Sequence, residues 1–186
     1  MPELKICGVN DAAFAAEAER LGANYLGFIF APGTPRAVTP EQVTGIVRGL
    51  SGSARRVGVF VKQSPDEIVS TMRQVGLDIV QLHRRASSED VAAIRSAGYE
   101  VWTLAGGVPG DGVLFDSSHG DGETVLRQGK YKSILAGGIS VDNLATARLA
   151  EPDVIDVSGS LESSRGVKSI PLLRAFIASW NESRRK

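Results

Sequence analysis

A chain of 186 residues, 42% apolar and 23% charged, is long enough to bury a full core and suits a single domain spanning residues 1–186. Its 21 basic and 21 acidic side chains cancel, which argues against nucleic acid as a partner, and no apolar run approaches the roughly 20 residues that cross a bilayer. A single cysteine excludes an internal disulfide, the two histidines lack ligand spacing so no metal is expected, and the N-terminus has no signal-peptide order, which predicts a cytoplasmic protein.

Short apolar runs rich in β-branched and aromatic residues recur along the chain: LKIC (4–7), YLGFIF (25–30), VGVFV (57–61), DIVQL (78–82), EVWTL (100–104), GVLFD (112–116), SILA (133–136) and DVIDV (153–157). They read as strands buried on both faces. Between them lie helical stripes such as Phe14, Ala15, Ala18 and Leu21, or Ile68, Val69, Met72 and Val75. Asp11, Thr39, Ser64 and Ser140 stand where helices should start, with Pro40 and Pro65 just inside two of them. Gly22, Gly76 and Gly98 stand where helices should stop, and the last helix carries Leu172, Leu173, Phe176, Ile177 and Trp180 on one side. Each stripe is accounted for by a core face, which leaves monomer and homodimer both open.

Strands alternating with helices predict an α/β fold with a parallel sheet, and eight such units predict a closed (β/α)₈ TIM barrel. One join is unusual. Only AGGVPGD separates EVWTL from GVLFD, too short for a helical crossover. Extended chain covers about 3.3 Å per residue, so the segment can return along a short strand as a loop; an antiparallel hairpin is the competing reading.

In such barrels chemistry collects where strands end. The strand ends here deliver Cys7, a proline-glycine loop with Arg36, then Gln81 and His83, then Asp116, then Gly137–Gly138, and finally Ser158, Gly159 and Ser160. The two glycine–serine turns follow strands seven and eight, where backbone N–H groups can cradle a phosphate, although either alone is equally a tight turn. A thiolate at Cys7 could take a proton from carbon while a protonated Asp116 gives one to oxygen, an isomerisation that needs no cofactor; the bland reading of Cys7 is packing. Arg36 could grip a carboxylate or serve only as a surface ion pair. His83 could line the pocket, His119 receives no role, and Asp156 and Glu162 read as structural.

The segments KICGVND, LGFIFAPGTPRAVTPEQ, RVGVFVKQS, LDIVQLH, LFDS, LAGGISVDN and DVSGSLESSRGVKS, in this order, resemble the phosphoribosylanthranilate isomerase family of tryptophan biosynthesis over nearly the whole chain. The resemblance implies a cofactor-free barrel with a loop after strand five and a phosphosugar as its small-molecule substrate. It implies an Amadori rearrangement with Asp116 as general acid and Cys7 as general base. Arg36 would hold the anthranilate carboxylate, and Gly137, Gly138, Ser158, Gly159 and Ser160 the phosphate. The chain departs from the family pattern at Arg84–Arg85, in the short SSHGDGETV segment, and in the order Ser158-Gly159-Ser160.

Overall fold

The computed structural model describes residues 1–117 and 131–182. His119 and most of the SSHGDGETV segment lie outside the described residues. Eight parallel strands pair in chain order and close on themselves: β1 (Glu3–Cys7), β2 (Tyr25–Ile29), β3 (Arg55–Phe60), β4 (Ile79–Leu82), β5 (Glu100–Leu104), β6 (Gly112–Asp116), β7 (Lys132–Ala136) and β8 (Val154–Val157). β8 returns to β1 with Lys5 opposite Asp156 and Ile6 opposite Val157. The strands coincide with the expected runs to within a residue or two.

Helices α1 (Ala12–Arg20), α2 (Pro40–Val47), α3 (Pro65–Val75), α4 (Ser88–Ser96), α5 (Leu144–Leu149) and α6 (Ile170–Glu182) clothe the barrel. Asp11 caps α1 by accepting from the Phe14 N–H, and Thr39 and Ser64 form reciprocal capping boxes with Gln42 and Glu67. Two apolar layers result. Leu4, Ile6, Phe28 and Val80 face outward against Phe14, Ile68, Leu173 and Phe176 of the helices. Tyr25, Val57, Val59, Ile79, Trp102, Leu114 and Ile134 face inward and fill the barrel.

The β5–β6 join is the helix-less crossover. Trp102 pairs in parallel with Gly112, and the returning loop runs back along β5, donating from Asp111 N to Val101 O and from Gly110 N to Thr103 Oγ1. Gly110 is required there, because a β-carbon would strike the Val101 carbonyl.

Two local expectations are corrected. The helix after β7 starts at Leu144 and not near Ser140, because Asn143 turns residues 140–143 back on themselves: its Oδ1 accepts from Ser140 N at 2.8 Å and its Nδ2 donates to Gly138 O at 2.9 Å. Leu172 is 39% exposed and stands off the buried stripe of α6. Beyond β8, a 3₁₀ turn (Gly159–Leu161) leads into a small antiparallel hairpin, β9 (Glu162–Ser164) and β10 (Val167–Lys168), which folds back onto the rim. Gly166 at its tip packs so closely on Pro35 that no β-carbon fits between them.

The floor of the barrel is plugged. Tyr25 and Trp102 meet edge to face at 5.0 Å, and the Tyr25 hydroxyl lies between Glu3 (2.7 Å) and Lys132 (2.7 Å). Open space is left at the C-terminal ends of the strands.

Candidate active site

That end holds a cavity of about 540 Å³. Every residue the sequence nominated lines it: Cys7, Arg36, His83, Asp116, Gly137, Gly138, Ser158, Gly159 and Ser160. At the other end of the barrel a depression of about 400 Å³ lies beside Arg55, Arg56, Asp78 and Tyr99, but its guanidinium groups are committed, Arg56 to Asp78 and Arg55 to Glu100.

Cys7 ends β1, is 8% exposed, and presents its sulfur to the cavity wall. Asp116 ends β6, with Oδ2 3.8 Å from His83 Nε2, so β4 and β6 bring a carboxyl and an imidazole together on one side. Gly137 makes this possible. Its φ of 94° suits glycine, and a β-carbon there would fall 2.7 Å from Asp116 Oδ1 and 2.5 Å from Ser117 Oγ.

Arg36 enters from the loop after β2, passing over Gly8, where a β-carbon would lie 2.8 Å from its Cδ. Its Nε donates to Glu162 Oε1 at 2.5 Å and its Nη2 to Oε2 at 2.8 Å. This two-pronged pair aligns the guanidinium plane beside Gly159 and uses only part of its donor set. Burial opposes the charge of Glu162, but Arg36, the Gly166 N–H and Lys168 outweigh it and hold the carboxyl at about 2. Ile29, Ala31, Val59 and Val61 form an apolar wall of the same cavity.

The β7 and β8 turns supply the remaining wall. Gly137 and Gly138 both take positive φ, and the first amides of the Gly159–Leu161 turn have no acceptor within the turn. Side chains fix the turn in place: Ser158 Oγ donates to Cys7 O, Ser160 Oγ to Ile139 O, and Lys168 Nζ to Ser158 O. The side chain of Lys168 is fully buried beneath this turn.

Four charged residues, Lys5, Asp156, Glu162 and Lys168, line or support the cavity without having been assigned to it by the strand-end reading. Lys5 is 0% exposed and pairs with Asp156 Oδ2 at 2.5 Å inside the barrel; Asp156 lines the cavity floor, and its Oδ1 has no hydrogen-bond partner among the described residues. Burial opposes the charge of Lys5, but Asp156 and Cys7 outweigh it and hold the ammonium above its ordinary range. Glu162 joins Arg36 to Lys168. Strand alternation signals Lys5, since an inward Cys7 requires an inward residue two positions earlier.

Comparison with known proteins finds similarity along nearly the whole chain. A family model described as N-(5'phosphoribosyl)anthranilate (PRA) isomerase matches residues 4–179. The N-(5'-phosphoribosyl)anthranilate isomerase of Granulibacter bethesdensis is 32% identical over 202 residues, covering 95% of this chain and 97% of that one. Among solved structures, phosphoribosyl anthranilate isomerase from Thermus thermophilus superposes with a TM-score of 0.88 at 33% identity, covering 98% of this chain and 100% of that one. A phosphoribosyl anthranilate isomerase in complex with reduced 1-(o-carboxyphenylamino)-1-deoxyribulose 5-phosphate superposes with a TM-score of 0.84 at 27% identity, covering 98% and 100%. With a family match over nearly its full length and a close relative of the same extent, this chain belongs to the N-(5'-phosphoribosyl)anthranilate isomerase family.

Proposed function

We propose that the chain converts N-(5'-phosphoribosyl)anthranilate into 1-(2-carboxyphenylamino)-1-deoxyribulose 5-phosphate, the Amadori rearrangement of tryptophan biosynthesis. The observation that carries this reading is the convergence of Cys7 and Asp116 on one cavity that also holds a guanidinium and two glycine–serine turns.

Asp116, as general acid, protonates the ribose ring oxygen and opens the sugar to an iminium (a protonated Schiff base). Cys7, as thiolate, takes the proton from C2, giving an enolamine. The Cys7 thiol gives its proton up toward C1 and the Asp116 carboxylate takes up the proton lost from the C2 hydroxyl, which gives the ketone and restores thiolate and carboxylic acid for another cycle. Substrate and product are isomers, so no electron donor or acceptor enters the balance.

Arg36 holds the anthranilate carboxylate with the donors that Glu162 leaves available, and the adjacent wall of Ile29, Ala31, Val59 and Val61 suits the aromatic ring. Backbone around Gly137, Gly138, Ser158, Gly159 and Ser160 holds the phosphate, and Lys168 beneath the turn adds positive charge. His83, close to Asp116, lines the substrate side of the acid.

The test is to add the purified protein to freshly generated phosphoribosylanthranilate, follow loss of its fluorescence, and identify the product by mass and chromatography. Decay faster than the uncatalysed rate with the ketose as product supports the reading. Decay at the background rate rejects it.

A further inference from the structure

A base at Cys7 works against its surroundings. Burial pushes the thiol up from its ordinary range, and the Asp156 carboxylate on β8 adds to the rise. Asp116 and His83 look onto the same cavity from β6 and β4, and Tyr25 lies deeper in the barrel, tied to Glu3 and Lys132. The cations that face the sulfur are Lys5 on β1, Lys168 on β10 and Arg36 beyond β2. Arg36 and Lys168 both serve Glu162.

Lys5 is placed differently. It stands two residues before Cys7 on the inward face of the same strand, fully buried, with Asp156 on its other side. Gly27 on β2, opposite Cys7 in register, leaves the space in which the two meet. A β-carbon there would fall 2.9 Å from Cys7 Sγ and 3.3 Å from Lys5 Nζ, so ammonium and sulfur lie no farther apart than those two lengths together. An ammonium so close, in a wall shielded from water, acts at far lower screening than a surface charge.

We propose that Lys5 is a positioning residue for the general base: its ammonium, shared between Asp156 and Cys7, stabilises the Cys7 thiolate inside the barrel. The proposal rests on the base role given to Cys7 above. Asp156 in turn keeps Lys5 charged and restrains how much of that charge the sulfur receives.

Cys7 is the only cysteine of the chain, so iodoacetamide labelling reports this one sulfur without substrate. The rate of labelling against pH gives the thiol midpoint. In Lys5→Met the midpoint rises by about one unit or more, and labelling below it slows roughly tenfold. Because Lys5→Met leaves a buried carboxylate unpaired and can fail to fold, the same comparison is made between Asp156→Asn and Lys5→Met/Asp156→Asn. There, too, losing the lysine raises the midpoint. A folded Lys5→Met protein in either background whose midpoint stays within a few tenths of its lysine-containing counterpart overturns the proposal. Isomerase assays on the same preparations judge the reading beneath it separately, since a shifted midpoint in a protein without turnover keeps the Lys5 effect and removes the catalytic role of Cys7.

Discussion

Arg36 and Glu162 form a two-pronged ion pair, Nε to Oε1 at 2.5 Å and Nη2 to Oε2 at 2.8 Å, that ties the loop after β2 to the hairpin after β8. The two residues are 126 positions apart in sequence, and their pairing sets the plane of the guanidinium at the cavity mouth. Charge-assisted bonds of this kind contribute about 1.5–3 kcal/mol each. Arg36→Met is therefore expected to raise KM by about 10- to 100-fold with a smaller change in kcat. Steady-state kinetics checks this; a fall in kcat at unchanged KM would count against a carboxylate-binding role.

Glu162 also makes stability depend on acid. Its carboxyl is held at about 2 in the folded chain, below its ordinary value, so the unfolded chain binds the proton more readily. The stabilisation is complete above an unfolded pKa of about 4.3 and is lost as pH falls from there through about 2. Urea unfolding across this window should show a steep loss for the parent and a flatter one for Glu162→Gln. At neutral pH Glu162→Gln should cost about 3 kcal/mol, because Lys168 is left buried without its carboxylate.

Gly137 separates strain from crowding. Gly137→Ala introduces a φ of 94° for a β-carbon that also meets Asp116 and Ser117, whereas Gly22→Ala meets the same strain, φ 92°, in open space. Each should lose about 1–3 kcal/mol of stability. Only Gly137→Ala should also lose turnover, by about tenfold or more, because the acid must move. Thermal melts and kcat on the two proteins check the contrast; equal kcat losses would contradict it.

The sequence made the barrel readable because each strand is a compact apolar run and the first three helices carry their own caps, at Asp11, Thr39 and Ser64. Strand order then placed Cys7, Asp116 and the β7 and β8 turns at one rim without any knowledge of side-chain position. Lys5 was hidden inside LKIC, a run read as uniformly apolar, although alternation from Cys7 points to it. Glu162 and Lys168 were not readable by alternation. They belong to a hairpin that folds back over the rim, and the partner of each is fixed by tertiary contact with Arg36 and Ser158. Ser140 misled because the side chain of Asn143 folds back onto Ser140 N and Gly138 O, so the helix begins only beyond Asn143, without a side-chain cap.

The division of labour between Cys7 and Asp116 is tested most directly by single-turnover decay of phosphoribosylanthranilate fluorescence in the parent, Cys7→Ala and Asp116→Asn, with folding verified by thermal melting. Each substitution is expected to slow the decay by about 10²–10⁴-fold while the melt stays close to that of the parent. A folded Cys7→Ala or Asp116→Asn protein that turns substrate over within a few-fold of the parent would contradict the assignment.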